Sequence, residues 1–264
     1  MEKKRLDMLL KDKAFFESRE KAKQAIINNL IKINGDVVND ASKKFNEDVL
    51  IEVLGEPNKY VSRGAKKLES AIEEFNINVN GLVGLDIGSS TGCFTDVLIQ
   101  NGIKKVYCID VGKDQLHPKI RNSEKTIVME ETDFRDIDKS VIKDVNIIVI
   151  DVSFISIESI VKKIKECFKT KKIEVVSLIK PQFECGKDVA RKYKGVIKDK
   201  VIHKNLLKEF VEELKLYNFT LSNLTYSSIK GKEGNIEYLV HLNGKASATI
   251  NISEIVDSSF TALK

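Results

Sequence analysis

The chain has no tryptophan, and only three prolines and three histidines in 264 residues. Its four cysteines (Cys93, Cys108, Cys167, Cys185) form no CxxC and no Cys/His ligand spacing. No metal is therefore expected, and the thiols read as free and buried. Long apolar runs are also missing. No window approaches the ~18 consecutive apolar residues of a membrane helix, and MEKKRLDMLLKDK has no uninterrupted apolar stretch of the signal-peptide kind. A soluble, cytoplasmic chain without a membrane partner is expected. Neither GxGxxG nor GxxxxGK[ST] occurs, which argues against a dinucleotide fingerprint and a phosphate loop. There is no internal repeat, and no low-complexity tract beyond lysine-rich patches.

Against these absences stand 42% hydrophobic residues, ample for a core, and 31% charged residues with a net charge of +5. That mild excess is compatible with a polyanionic partner and does not require one. The length suits one large domain, or a medium domain with a small module. The first break falls in LGEPNKYVSRG, where Gly55, Pro57 and Asn58 interrupt the pattern. It divides the chain into expected domains 1–59 and 60–264. Before the break, helical patterns in RLDMLLKDK and SREKAKQAIINNL precede short strands around IKIN, VV and DVLIEV, and Ser18 is placed to cap the second helix. Residues 1–32 carry nine Lys/Arg against five Asp/Glu, and residues 33–60 carry three against six. The helices are thus basic and the strand part acidic. Arg5, Arg19, Lys21 and Lys23 are candidates for one phosphate-facing surface, the alternative being a solvated helix face.

After the break, apolar strand-like runs alternate with amphipathic helices. The strands are LVGLDIG, KVYCIDV, TIVMEE, VNIIVID, EVVSLIK, FTLSNLTYSS and NIEYLVHL; the helices are FTDVLIQNG, SIESIVKKIKECF and KNLLKEFVEELKLYN. The last two strands share a short connection, so they should pair antiparallel. The expected class is α/β: the Rossmann-like, doubly wound fold in its methyltransferase variant. It has a seven-stranded, mostly parallel sheet with an antiparallel last strand, joined to a small α+β module.

LDIGSSTGCFTD reads as a strand, a glycine turn and a helix, with Gly88 and Gly92 permitting close backbone approach to a ligand. Asp86 closes the strand and suits a cationic amino group or a bridging water. Asp110 closes the next strand, where an acid accepts ribose hydroxyls. A loop with acids and no phosphate cradle fits the sulfonium nucleoside S-adenosylmethionine. Asp133 follows the third strand, where adenine contacts are expected, with an ordinary surface loop acid as the alternative. His117 in DQLHPKI reads as a packing residue near this loop, and His203 has no assigned role.

Four further segments, YVSRGAKKL, DVSFIS, IKPQFE and GNIEYLV, each set an ionisable residue at the edge of an apolar stretch: Lys67, Asp151, Lys180 and Glu237. The crevice of an open α/β sheet lies outside the carboxyl ends of its strands, so the four are expected to converge there. Phe183 is a candidate to stack on a base, and RKYKGVIKDKVIHK a candidate phosphate-holding loop, with core packing and solvation as the plainer alternatives.

Residues 3–54 resemble the RNA-binding domain of ribosomal protein S-four, through RLDMLL, SREKAKQAI, IKINGDVV and DVLIEV. By that resemblance Arg5, Arg19, Lys21 and Lys23 would touch RNA backbone. Nearly the whole chain resembles the TlyA (hemolysin A) family of FtsJ-like RNA 2′-O-methyltransferases, through SREKAK, YVSRGAKKL, LDIGSSTGCFTD, VYCIDVG, DQL, DVSFIS, LIKPQFE, KGVIKD and GNIEYLV. The resemblance implies methylation of a ribose, in cytidine, within ribosomal RNA of ribosomal subunits. It implies Lys67, Asp151, Lys180 and Glu237 as catalytic residues, and Asp86, Gly88, Ser90, Gly92 and Asp110 as cofactor contacts. Ala65 and Cys93 stand where glycine is common in that family. A non-catalytic RNA-binding or ribosome-assembly factor is the alternative function. A membrane-active hemolysin ranks last.

Overall fold

In a computed structural model the chain forms two compact units, Met1–Arg63 and Gly64–Lys264. The structure describes residues 3–16, 18–27, 29–54, 59–169, 173–231, 233–245 and 250–263. Gly55, Pro57 and Asn58 of the expected break, and residues 246–249 of the tail, lie outside that set.

The first unit runs β1 (Lys4–Arg5), α1 (Leu6–Asp12), α2 (Arg19–Ile27), β2 (Ile31–Ile33), β3 (Asp36–Val37), β4 (Lys44–Phe45) and β5 (Ile51–Val53). Strands β3-β2-β5 form one antiparallel sheet and β1-β4 another. The β2–β3 turn is Asn34-Gly35, both at positive φ (52° and 88°). Those values match the strand twist of a two-residue hairpin, and Asn-Gly adopts them with least strain. Ser18 Oγ accepts from the amide of Lys21 (3.2 Å), capping α2 as expected. Leu6, Leu10, Phe16, Ala22, Ala25, Ile26, Ile31 and Ile33 make a core between the helices and the sheet.

The second unit runs α3 (Ala65–Glu74), β6 (Val83–Ile87), α4 (Cys93–Gln100), β7 (Lys105–Ile109), α5 (Pro118–Arg121), β8 (Thr126–Met129), β9 (Ile147–Ile150), α6 (Ile157–Cys167), β10 (Glu174–Ile179), α7 (Pro181–Glu184), α8 (Lys187–Lys192), α9 (Lys200–Leu216), β11 (Leu221–Tyr226), β12 (Tyr238–Leu242) and α10 (Ile252–Ala262). All seven expected strands form one sheet in the order β11-β12-β10-β9-β6-β7-β8. Pairing is parallel from β10 to β8, whereas β12 runs antiparallel to both β10 and β11. β6 and β9 are buried along their whole length because helices cover both sheet faces, which is why they read as near-continuous apolar runs. Ile157, Ile160, Val161 and Ile164 supply one buried stripe of α6. The strand NIEYLVHL begins only at Tyr238, because Asn235 is committed to loop contacts described below.

This order positions the site. The chain leaves β6 for β7 and β8, then returns to lay β9 on the other side of β6. The reversal opens a crevice at the carboxyl ends of β6 and β9. Because β12 is antiparallel to β10, with Ile179 opposite Tyr238, its beginning lies at the same sheet edge as the end of β10. Among the described residues, no helix is long and apolar enough to cross a membrane, and no three His, Cys, Asp or Glu side chains cluster to hold a metal. None of the four cysteines is in a disulfide, and only Cys108 among them is buried; Cys93, Cys167 and Cys185 sit at helix ends and are half-buried.

Candidate active site

Lys180 leaves the end of β10 and Asp151 the end of β9, so parallel pairing of those strands sets them side by side. The Lys180 Nζ lies 2.5 Å from Asp151 Oδ1 and donates to Ser153 Oγ at 3.0 Å. Glu237 precedes β12 and receives the ammonium of Lys67, in the first turn of α3, at 2.5 Å. Ser228 Oγ donates to the carbonyl of Lys66 (3.3 Å), tying the start of α3 to the β11–β12 connection. The structure thus arranges the four residues as two ion pairs. Burial alone would lower the Lys67 pKa, but the carboxylates of Asp151 and Glu237 outweigh it and hold the ammonium above its ordinary value. Lys67 is therefore a cation shared electrostatically between the two pairs.

The cofactor-side loop abuts this cluster. Gly88, at φ +80°, sits where a Cβ would lie 2.7 Å from the Asp151 carbonyl oxygen, so only glycine lets the β6 turn pass this close to the end of β9. Gly92, also at positive φ, leads into α4 and packs against Leu116 and Ile120. Ser90, at φ 45°, donates its amide to Asp110 Oδ2 (2.8 Å), and Gly112 donates to Asp110 Oδ1 (2.7 Å). Asp110 therefore joins the β6 and β7 loops. The following loop is fixed by Glu130, which accepts the amides of Asp114, Gln115 and Leu116 and a bond from Arg121 (2.6 Å). The Arg121 bond, reinforced by those amides against burial, brings Glu130 down to about 2.

Asp86 is fully buried. Its Oδ2 accepts from the Thr95 amide (3.0 Å) and hydroxyl (2.7 Å), whereas its Oδ1 has no hydrogen-bond partner among the described residues. Burial pushes its carboxyl up to about 7. A buried acid with one orphan oxygen, beside glycines that open the backbone and an acid at the next strand end, fits a cationic nucleoside cofactor. Asp86, Gly88, Ser90, Gly92 and Asp110 would hold it. Asp133 caps a 3₁₀ turn and is clamped by the guanidinium of Arg135, with its pKa lowered chiefly by that bond. His117 is exposed rather than packed: Nδ1 caps α5 through the Lys119 amide, while its own amide donates to the Thr91 carbonyl of the β6 loop.

In the first unit, Arg5 and Arg19 converge on Asp7. Arg5 makes a two-bond fork (3.1 Å each) and Arg19 a single bond (2.8 Å). Burial would raise the Asp7 pKa, but these hydrogen bonds outweigh it and hold the carboxyl below the usual range. Lys21 and Lys23 lie exposed on α2.

Several residues of the site carry no sequence signal of their own. Ser153 and Phe154 lie within DVSFIS, where only the acid stands out. Phe154 is 91% exposed, at φ +66°, with its ring 4.9 Å from that of Phe183, centroid to centroid. A bulky residue at positive φ, exposed beside a charged cluster, signals function. Asn235, in GNIEYLV, is buried and holds the basic 187–199 segment through the Gly195 carbonyl (2.7 Å) and the Ile197 amide (2.9 Å). Buried His203, unassigned from sequence, bonds the Tyr238 hydroxyl (2.7 Å) and the Ile197 carbonyl (3.1 Å), a structural link.

Comparison with known proteins agrees with this architecture. Residues 60–244 match the FtsJ-like methyltransferase model and residues 4–51 the S4 domain model. Hemolysin A of Brachyspira hyodysenteriae is 41% identical over 241 residues, covering 90% of this chain and 98% of the relative. The 23S rRNA (cytidine-2′-O)-methyltransferase TlyA of Campylobacter jejuni is 37% identical, covering 85% and 93%. A solved hemolysin-like structure from Streptococcus thermophilus superposes with a TM-score of 0.75 at 34% identity, covering 99% of this chain and 97% of that one. The chain belongs to the FtsJ-like methyltransferase family, in its TlyA/hemolysin A branch with an N-terminal S4 domain.

Proposed function

We propose that this protein methylates the 2′-hydroxyl of a cytidine in ribosomal RNA, acting on ribosomal subunits in the cytoplasm. Residues 1–59 serve as its RNA-binding module and residues 60–264 as its methyltransferase domain. The observation that carries the reading is the pair of ion pairs, Lys180–Asp151 and Lys67–Glu237, beside the Gly88 turn at the topological switch point. S-adenosylmethionine, when bound, supplies an activated methyl group on a sulfonium.

A ribose hydroxyl is a poor nucleophile at neutral pH, so the protein must align it and manage its proton. The oxygen–methyl bond forms as the methyl–sulfur bond breaks, and the hydroxyl proton is released. Lys180 is the group placed to meet that oxygen. Neutral, it accepts the proton as a general base; protonated, it stabilises the developing negative charge. Asp151 orients it in either state. Lys67, fixed by Glu237, keeps positive charge near the reacting oxygen. Phe154 and Phe183 offer aromatic faces for the unstacked base of the target nucleotide. Arg5, Arg19, Lys21 and Lys23 hold phosphates without reading sequence.

The test is methyl transfer from radiolabelled S-adenosylmethionine to purified ribosomal subunits, with the modified nucleotide mapped by primer extension. Label on a cytidine ribose is expected. RNA binding without transfer would replace this reading with that of a non-catalytic assembly factor.

A further inference from the structure

We propose that Ser153 is a positioning residue for methyl transfer: it accepts one N–H of Lys180 and so sets the rotation of that nitrogen toward the ribose oxygen. The inference rests on the reading of Lys180 as the group that meets the hydroxyl. A lysine nitrogen is tetrahedral, with three positions beyond its carbon. One is hydrogen-bonded to Ser153 Oγ at 3.0 Å, while Asp151 Oδ1 lies 2.5 Å away as an ion-pair partner that makes no hydrogen bond. The ion pair alone leaves the amine free to rotate about its terminal carbon bond. The directed bond to Ser153, two residues on along the same turn, fixes the rotor.

The turn presents both the carboxylate and the hydroxyl. Phe154 takes a left-handed φ of 66° immediately after Ser153, a conformation that costs about 1–3 kcal/mol for a bulky residue unless its surroundings impose it. Glu184, at the end of α7, fastens the segment just beyond Phe154 by accepting the Ser156 hydroxyl (2.8 Å) and the Ile157 amide (3.0 Å). The segments after β9 and β10 are thus fastened together at both ends, by Lys180 at one and Glu184 at the other. Accepting from Lys180 leaves the Ser153 hydroxyl hydrogen unspent among the described residues, and Ser153 is exposed, so that hydrogen is free to reach a substrate oxygen. Asp151, the ion-pair partner of Lys180, also acts on Lys67 of α3, whose own partner is Glu237, and the Phe183 ring of α7 lies 5.9 Å from the Lys180 nitrogen.

The experiment measures initial rates for wild type, Ser153→Ala, Ser153→Thr and Lys180→Ala, with S-adenosylmethionine binding followed by calorimetry. Ser153→Ala is expected to lower kcat about tenfold while leaving KM for RNA and cofactor affinity within about twofold, the signature of an interaction realised in the transition state. Ser153→Thr, which keeps the hydroxyl, restores most of the rate. An active wild type with unchanged kcat in Ser153→Ala overturns this role alone. So does a loss that tracks weakened cofactor binding and resists threonine rescue. A wild type that transfers no methyl group overturns the reading beneath it.

Discussion

Replacing Glu237 by alanine strands a buried cation. The Lys67 and Glu237 side chains retain only 10% and 3% of their exposure, and their charged atoms lie 2.5 Å apart. Removing one partner of such a pair costs about 3–5 kcal/mol, because the desolvation of the survivor is no longer offset. Asp151 also acts on Lys67, which places the expected cost near the lower end, about 3 kcal/mol. For a domain of this size that is a fall in Tm of about 6–12 °C, read by circular dichroism. Lys67→Met combined with Glu237→Leu leaves no unpaired charge, so the double variant should be the more stable of the two, though equally inactive. The pH dependence has a defined sign. A lysine whose folded pKa is raised contributes stability that is fully present below its unfolded value and lost as pH rises through the folded one. Wild type should therefore weaken above about pH 10.5 more steeply than Glu237→Ala does. A single variant as stable as wild type, or a double variant less stable than the single, would refute the reasoning.

Two other perturbations test other parts of the molecule. The Asp86 carboxyl, raised by burial to about 7, keeps a proton in the folded state that the unfolded chain releases from its ordinary 3.8 upward. Stability is therefore lost as pH rises through that window, by about 4 kcal/mol if nothing binds. Asp86→Asn should flatten that slope in chemical denaturation. If Asp86 holds a cationic cofactor, wild-type affinity should also strengthen from pH 6 to 8 while the variant's stays flat. Asp7→Ala leaves Arg5 and Arg19 charged but no longer oriented. RNA affinity should fall about fivefold with an unchanged salt slope, since the number of phosphate-facing cations is preserved; a slope lower by about two would mean that the arginines have left the interface.

The strands were legible because covering both faces of a sheet leaves continuous apolar runs, as in Ile147–Ile150. Lys67, Asp151, Lys180 and Glu237 stood out because each charge abuts such a run. Their pairing was less legible: that Lys67 meets Glu237 and Lys180 meets Asp151 follows from β12 entering antiparallel and from α3 lying beside it. Side-chain-to-backbone bonds across long separations left no trace in periodicity. Glu130 reading three amides, Asn235 holding Gly195 and Ile197, and Glu184 capping α6 all belong to this class. The two-residue strands β1 and β4 are too short for any pattern to form. His203 looked isolated because its partner Tyr238 lies 35 residues away.

The central claim is that Lys180 acts on a ribose hydroxyl beside a separately built cofactor loop. The most direct measurement is radiolabelled methyl transfer to ribosomal subunits by Lys180→Ala, with S-adenosylmethionine affinity determined on the same preparation. Transfer should fall at least a hundredfold, as expected for loss of a group acting on the proton, while cofactor affinity stays within about threefold, because the loop is held through Asp110, Thr95 and Glu130 rather than through Lys180. A variant that still methylates cytidine ribose at the wild-type rate would contradict the account.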